Sequence, residues 1–305
     1  MSFLQTFQEW ADLVVRWTHV ITGIAWIGSS FYFNWLESKF RVPETPRERV
    51  EGEAWLVHGG GFYRVEKFAV APPTLPKELH WFKWEAGFTW MSGVLLLAIV
   101  YYVGSGGSFL THPAFEGFGT IGAMLFSLCV IAAVWIVYDR LWKSAWAEGS
   151  PTAATATTFA MLVLLAWALA QVMAPHAAYI HVGAAIGTIM TANVWMIIIP
   201  NQRELVDATR EGRAPQYRFA KQAKFRSLHN NYFTLPIVFI MLSKNYASTW
   251  GHEWNWAILA GLGCVGALVR HFFNLRNKDR AGEGFWFLPA AALLLAALVY
   301  ATMRG

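Results

Sequence analysis

Trp55-Leu56-Val57-His58-Gly59-Gly60-Gly61-Phe62-Tyr63, followed by Lys67 and then by Leu79-His80-Trp81-Phe82-Lys83-Trp84-Glu85, interrupts two strongly hydrophobic segments. A connector that only joined two membrane helices would not need two histidines, three consecutive glycines and this many aromatics. Gly59, Gly60 and Gly61 permit a tight turn or close backbone approach to a ligand. His58 and His80 can carry protons or bind a metal. Trp81 and Trp84 suit a membrane boundary or a flat ring. The glycines read equally as a plain hairpin turn, and the tryptophans as an interfacial belt.

Outward from this stretch the chain is that of an integral membrane protein. Of 305 residues, 56% are hydrophobic and 14% charged, with 17 Trp and 22 Phe; soluble domains average about 25% charged residues. Eight segments are long enough to span, near 13–36, 85–103, 118–138, 153–173, 177–199, 228–246, 254–272 and 285–303. The expected architecture is an all-α polytopic bundle of eight transmembrane helices, one integral membrane domain over 1–305, with 39–84 as a functional loop inside it. The leader carries Glu9 and Asp12 but no Lys or Arg, so no signal peptide is expected and the first helix is retained.

The net charge of +5 could suggest nucleic acid, but its distribution does not. Of 24 Lys and Arg, all but Arg16, Lys244 and Arg304 fall in the stretches 39–83, 139–152, 200–226 and 270–284. The positive-inside rule makes these four cytoplasmic loops of a multi-pass protein of the bacterial inner membrane, with both termini extracytoplasmic. Asp139 and Arg140 close the third segment and read as a boundary ion pair. Cys129 and Cys264 read as small buried apolar residues. With no Cys-x-x-Cys, covalent c-type haem and zinc ribbons are excluded.

Histidines within the spans sort by depth. His19 and His181 are expected to be level near the outer side, and His229 and His271 near the inner side. Paired imidazoles on facing helices suit the iron of one or two b-type haems, with Gly23, Gly28, Gly183 and Gly187 as slots for the flat ring. Hydrogen-bonded packing at helix ends is the plainer reading of all four. Asn193, Asn230, Asn231 and Thr234 are further polar groups inside the bundle, suited to ring edges or to interhelical bonding.

The series Arg16-Trp17-x-His19-Val20-x-x-Gly23-Ile24-Ala25-Trp26-Ile27-Gly28-x-Ser30-Phe31-Tyr32, the His58-Gly59-Gly60-Gly61-Phe62-Tyr63 string, Ala71-Pro72, the Leu79 to Glu85 string and Ser227-Leu228-His229-Asn230-Asn231-Tyr232-x-Thr234-Leu235-Pro236 together resemble the bacterial membrane-bound urate oxidase (urate hydroxylase) family. Helix 1 is also similar, over that helix only, to bacterial membrane protoporphyrinogen oxidase, where the corresponding histidine is tied to haem. The urate oxidase resemblance implies an eight-helix domain that oxidises urate to 5-hydroxyisourate and passes electrons to a cytochrome c. Many members carry that cytochrome fused at the C-terminus; here Cys-x-x-Cys-His is missing, so either a separate periplasmic cytochrome c is the acceptor or this is only the membrane part of the system.

Urate is a flat anion, and a site for it needs a cation, ring-edge hydrogen bonds and an aromatic face. The expected catalytic residues are His58, His80 and Lys83; the expected substrate contacts are Gly60, Tyr63, Lys67, Trp84 and Asn230. Lys83 reads alternatively as a snorkelling boundary residue. The competing functions are an anion or urate permease, and a haem-bearing electron conduit without a urate site. Many transporters show inverted repeats, and none is visible here.

Overall fold

A helix can tolerate a proline in its interior only where the lost hydrogen bond is absorbed nearby. Pro200 sits just after a widened π turn, Asn193–Ile198, in a single long helix, Pro175–Arg210. The computed structural model describes residues 3–304 except Val70, Pro73 and Asp279, and leaves out the side chains of Ala281 and Arg304. Within it eight long helices follow the eight expected segments. These are α1 (Phe3–Glu37), α2 (Trp84–Val103, ending in a second π turn), α3 (Gly119–Trp142), α4 (Pro151–Val172), α5 (Pro175–Arg210), α6 (Tyr217–Ser243), α7 (Asn255–Arg276) and α8 (Phe287–Arg304).

Among the described residues, six helices are long and apolar enough to cross a membrane: α2, α3, α4, α5, α7 and the stretch Gly282–Met303 that contains α8. The chain is thus a helical membrane protein. α1 and α6 have the length but are diluted by polar residues: α6 opens with Arg218, Lys221, Lys224 and Arg226, and α1 carries Glu9, Asp12 and Arg16.

α5 is the most buried of the spans, and the bundle is organised around it. It touches α2, α3, α4 and α6; α6 packs on α7, α7 on α8, and α1 on α2. Small residues make this possible, because without a hydrophobic drive between helices in lipid, close backbone approach supplies the packing. At Gly183 a β-carbon would lie 2.7 Å from Ile240 Cγ2, and at Gly187 3.3 Å from Ile237. These two glycines, expected to admit a macrocycle, are filled by α6. Gly23 faces Thr89, while Gly28 is open.

Two expected loops have structure. The interrupting stretch is an antiparallel hairpin, β1 (Val50–His58) against β2 (Gly61–Phe68), with His58 paired to Gly61. Gly59 and Gly60 have φ of 56° and 80°. Positive φ at both central residues is what a two-residue turn of this hand demands. The stretch 200–226 is largely helical: the end of α5 and the start of α6 run antiparallel beyond the apolar part of the bundle. Arg210 Nη2 donates to the carbonyls of Pro76 and Lys77, tying this extension to the segment after the hairpin.

Cys129 is exposed, contrary to expectation, and Cys264 is half-buried. Cys129 lies on an outward face of α3, where lipid receives a small apolar side chain as readily as a protein core does.

Candidate functional site

One turn of α6 supplies His229, Asn230, Asn231 and Tyr232, and each engages a different partner. Together they organise two polar networks inside the bundle, one toward α3 and α5 and one toward α7.

The first network is closed. Asn193, at the π turn of α5, donates through Nδ2 to Tyr138 Oη at 3.1 Å and to Asn230 Oδ1 at 2.9 Å. Asn230 Nδ2 donates to the Met190 carbonyl, and Arg226 Nη1 to Asn193 Oδ1. The Tyr138 hydroxyl, already accepting from Asn193, is also hydrogen-bonded to His229 Nδ1 at 2.6 Å. Arg226 Nη2 lies 2.9 Å from Asp139 Oδ1, and Lys143 Nζ 2.6 Å from Asp139 Oδ2. The partners of Asp139 are therefore Arg226 and Lys143, not its neighbour Arg140. Arg226 is 1% exposed. Taking a guanidinium this far from water is costly, and here paired charge and hydrogen bonds offset that cost.

The second network is open. Arg270 of α7, 6% exposed, donates through Nε to Asn231 Oδ1 at 2.8 Å, and Asn274 Nδ2 donates to the same oxygen at 3.1 Å. Its guanidinium carbon lies 4.3 Å from the centre of the Phe31 ring. Two donors here, Arg270 Nη2 and Asn231 Nδ2, are buried without an acceptor. Next to them Tyr232 Oη meets His271 Nδ1 at 2.5 Å, with Phe287 edge-on to the imidazole. A cleft of about 790 Å³ opens between the ends of α1 and α7, lined by Phe31, Asn34, Trp35, Ser38, Lys39, Arg41, Leu235, Val269, Arg270, Phe273, Arg276, Asn277 and Gly282. Among the described residues four cations and no carboxylate line it. A neighbouring cleft of about 860 Å³ shares Lys39 and Arg41, but contains Glu44 and Glu53.

The expected catalytic residues lie elsewhere. His58 is exposed beside the hairpin turn. His80 is 3.8 Å from Glu85 and edge-on to Phe82. Lys83 Nζ lies over Trp84 and Trp195, 5.4 and 5.2 Å from the ring centres. Neither cleft is lined by His58, His80 or Lys83. Of the expected substrate contacts, Gly60 forms the turn and Tyr63 is half-exposed on β2. Trp84 packs against Trp195, and Asn230 belongs to the closed network. Lys67 is paired with Glu37 at 2.6 Å and Glu51 at 3.4 Å. Burial works against its ammonium, but the hydrogen bond and charge of Glu37, with Glu51 behind it, outweigh that and hold its pKa above the usual value.

The four histidines considered for haem are not brought together in pairs. α1 begins at Phe3 rather than near residue 13, so His19 falls close to the middle of that helix, where Nδ1 donates to the Thr89 carbonyl. His181 lies two turns into α5, against Tyr101 and Phe109. Their contacts on α2 are thus eight or more residues apart, on the order of 12 Å along the helix, so the common depth expected for them is not found. His229 faces α3, whereas His271 bonds to Tyr232. His181 does have the donor arrangement of a metal ligand: Nδ1 donates to the Ala177 carbonyl at 2.7 Å, which fixes the tautomer, and Nε2 is buried with no partner. Among the described residues no three His, Cys, Asp or Glu side chains are grouped to hold a metal ion.

Compared with known proteins, the family model described as urate oxidase N-terminal matches residues 5–303. No curated protein and no solved structure matches.

Proposed function

The chain belongs to the urate oxidase N-terminal family, and from that premise we propose that it is a membrane oxidoreductase that converts urate to 5-hydroxyisourate and delivers the electrons to a cytochrome c. The observation that carries the reading is a buried, incompletely paired guanidinium beside an aromatic-walled cleft whose described charged residues are all cations, in a chain of this family. A planar anion needs those three features, and a lipid-embedded bundle retains an unpaired internal charge only for function.

In this reading all eight long helices cross the bilayer, forming one integral membrane domain over 1–305. The basic stretches, including the hairpin within 39–84, face the cytoplasm, and both termini face outward. Urate loses two electrons, water supplies the new hydroxyl, and the released protons need an acceptor. The Tyr232–His271 pair, each the next residue along its helix after Asn231 and Arg270, is the group assigned that role: His271 Nδ1 is hydrogen-bonded to a hydroxyl that can relay a proton. His181 has a fixed tautomer and a free Nε2, but Tyr101, Phe109 and the α6 side chains against Gly183 and Gly187 occupy the space a macrocycle would need, so no step runs through a haem there. A separate periplasmic cytochrome c takes up two electrons per urate, one at a time, on two molecules.

The test is anaerobic turnover of purified protein with urate and oxidised cytochrome c. Reduction of two cytochromes per urate, without hydrogen peroxide, is the expected result. Uptake of urate into vesicles without its oxidation would replace this reading with the permease.

A further inference from the structure

The geometry points to the cleft between the inner ends of α1 and α7 as the seat of the purine ring, with Arg270 as its anion-binding group; this rests on urate being the substrate. The two networks on α6 make the contrast that carries the inference. Around Arg226 no described buried side-chain atom of Arg226, Asn193 or Asn230 is left without a partner, and the guanidinium is held between Asp139 and Asn193. Around Arg270 there is no carboxylate partner among the described residues. Its Nε is bound to Asn231, while its own Nη2 and the Asn231 Nδ2 are buried donors with nothing to bond. Leaving buried donors unpaired costs about 1–3 kcal/mol each, more for a charged group. An arrangement of this cost, with donors alone left over, calls for a ligand made of acceptors.

The cleft supplies the rest of the description. Its volume, about 790 Å³, falls in the range of small-molecule sites. Phe31, already under the Arg270 guanidinium, and Trp35 and Phe273 give it flat apolar walls. Lys39, Arg41 and Arg276 surround it with positive charge. Urate carries carbonyl oxygens around a planar ring and a delocalised negative charge, so it can accept from the guanidinium while its faces lie on the rings. A phosphate, free or on a lipid headgroup, shares the charge but not the ring.

Equilibrium binding of radiolabelled urate to the purified full chain tests the assignment, with xanthine and inorganic phosphate as competitors. Arg270→Gln weakens urate binding by about ten- to a hundred-fold, the loss of a charge-assisted pair. Arg270→Lys restores part of it, and the exposed Arg276→Gln, which leaves the interior intact, weakens it severalfold. Xanthine displaces urate and phosphate does not. Unchanged binding in Arg270→Gln and Arg276→Gln, or displacement by phosphate as efficient as by xanthine, overturns the site while leaving urate oxidation standing. Arg270-dependent binding without cytochrome reduction leaves the site standing and removes the oxidase reading. Absence of urate binding by the unaltered chain removes both.

Discussion

Arg226 on α6 and Asp139 on α3 form an ion pair at 2.9 Å with the arginine withdrawn from solvent. Their attraction is offset by desolvation, so the pair itself adds little; breaking it leaves an unpaired interior charge. Arg226→Met leaves Asp139 with Lys143, whereas Asp139→Asn strands the buried guanidinium and is therefore expected to destabilise the bundle by about 3–5 kcal/mol. The double variant Arg226→Met with Asp139→Asn should recover much of that loss. Thermal unfolding of the four proteins in detergent checks it, and additive losses would contradict the pairing.

His271→Asn removes the group assigned to accept a proton near Arg270. Turnover of urate with cytochrome c should fall by about 10²–10⁴-fold, the usual range for loss of a general base. Urate affinity should change little, because the anion contact is on Arg270. A rise in KM at constant kcat would instead make His271 a binding residue. Tyr232→Phe should reproduce the kcat loss in part.

His58→Ala and His80→Ala address the groups first suggested by sequence. Both side chains are exposed and line neither cleft. Steady-state turnover within about twofold of the parent is expected, since truncations of this kind usually cost within ±0.5 kcal/mol. A hundredfold loss in either would move the chemistry to the hairpin side.

Lys67→Gln removes a half-exposed ion pair with Glu37 and Glu51, worth about 0.2–1 kcal/mol after solvent screening. Because the folded chain holds this lysine proton above its usual pKa, the stabilisation is complete below the unfolded pKa and is lost as pH rises through the folded one. The melting temperatures of parent and variant should thus differ at neutral pH and converge in strong alkali. KM for urate should be unaffected.

Gly60→Val forces a branched residue into φ of 80°. A cost of about 1–3 kcal/mol at the hairpin is expected, read as faster proteolysis between β1 and β2. The same change at Gly28, where the space is open and φ is ordinary, should be far milder.

The helices were legible because apolar runs of spanning length leave few alternatives. Gly59-Gly60 was legible as a turn because only glycine takes two successive positive φ values cheaply. What sequence reasoning missed was the location of the buried cations. Arg226 and Arg270 lie at the edges of apolar runs and were counted as loop charges under the positive-inside rule. The available signal was Arg270 preceding His271-Phe272-Phe273 with no break, which continues α7 rather than ending it. The cleft joins residues 31–41 to 269–282, a contact that no local spacing reports. The common depth of His19 and His181 failed for a related reason: α1 begins earlier in the chain than hydropathy indicates, which places His19 mid-helix, whereas His271 does lie near the level of His229 through its bond to Tyr232.

The turn of α6 from His229 to Tyr232 meshes with α3, α5 and α7 at once, so its phase is fixed on every side. Inserting or deleting one residue between Tyr217 and His229 would rotate those four side chains by roughly 100° relative to the extension below them. Both networks would be lost together, the closed one that holds the bundle and the open one beside the cleft. Length changes can be absorbed in the turn after Arg210, but within α6 the polar interior is inherited as one block or not at all.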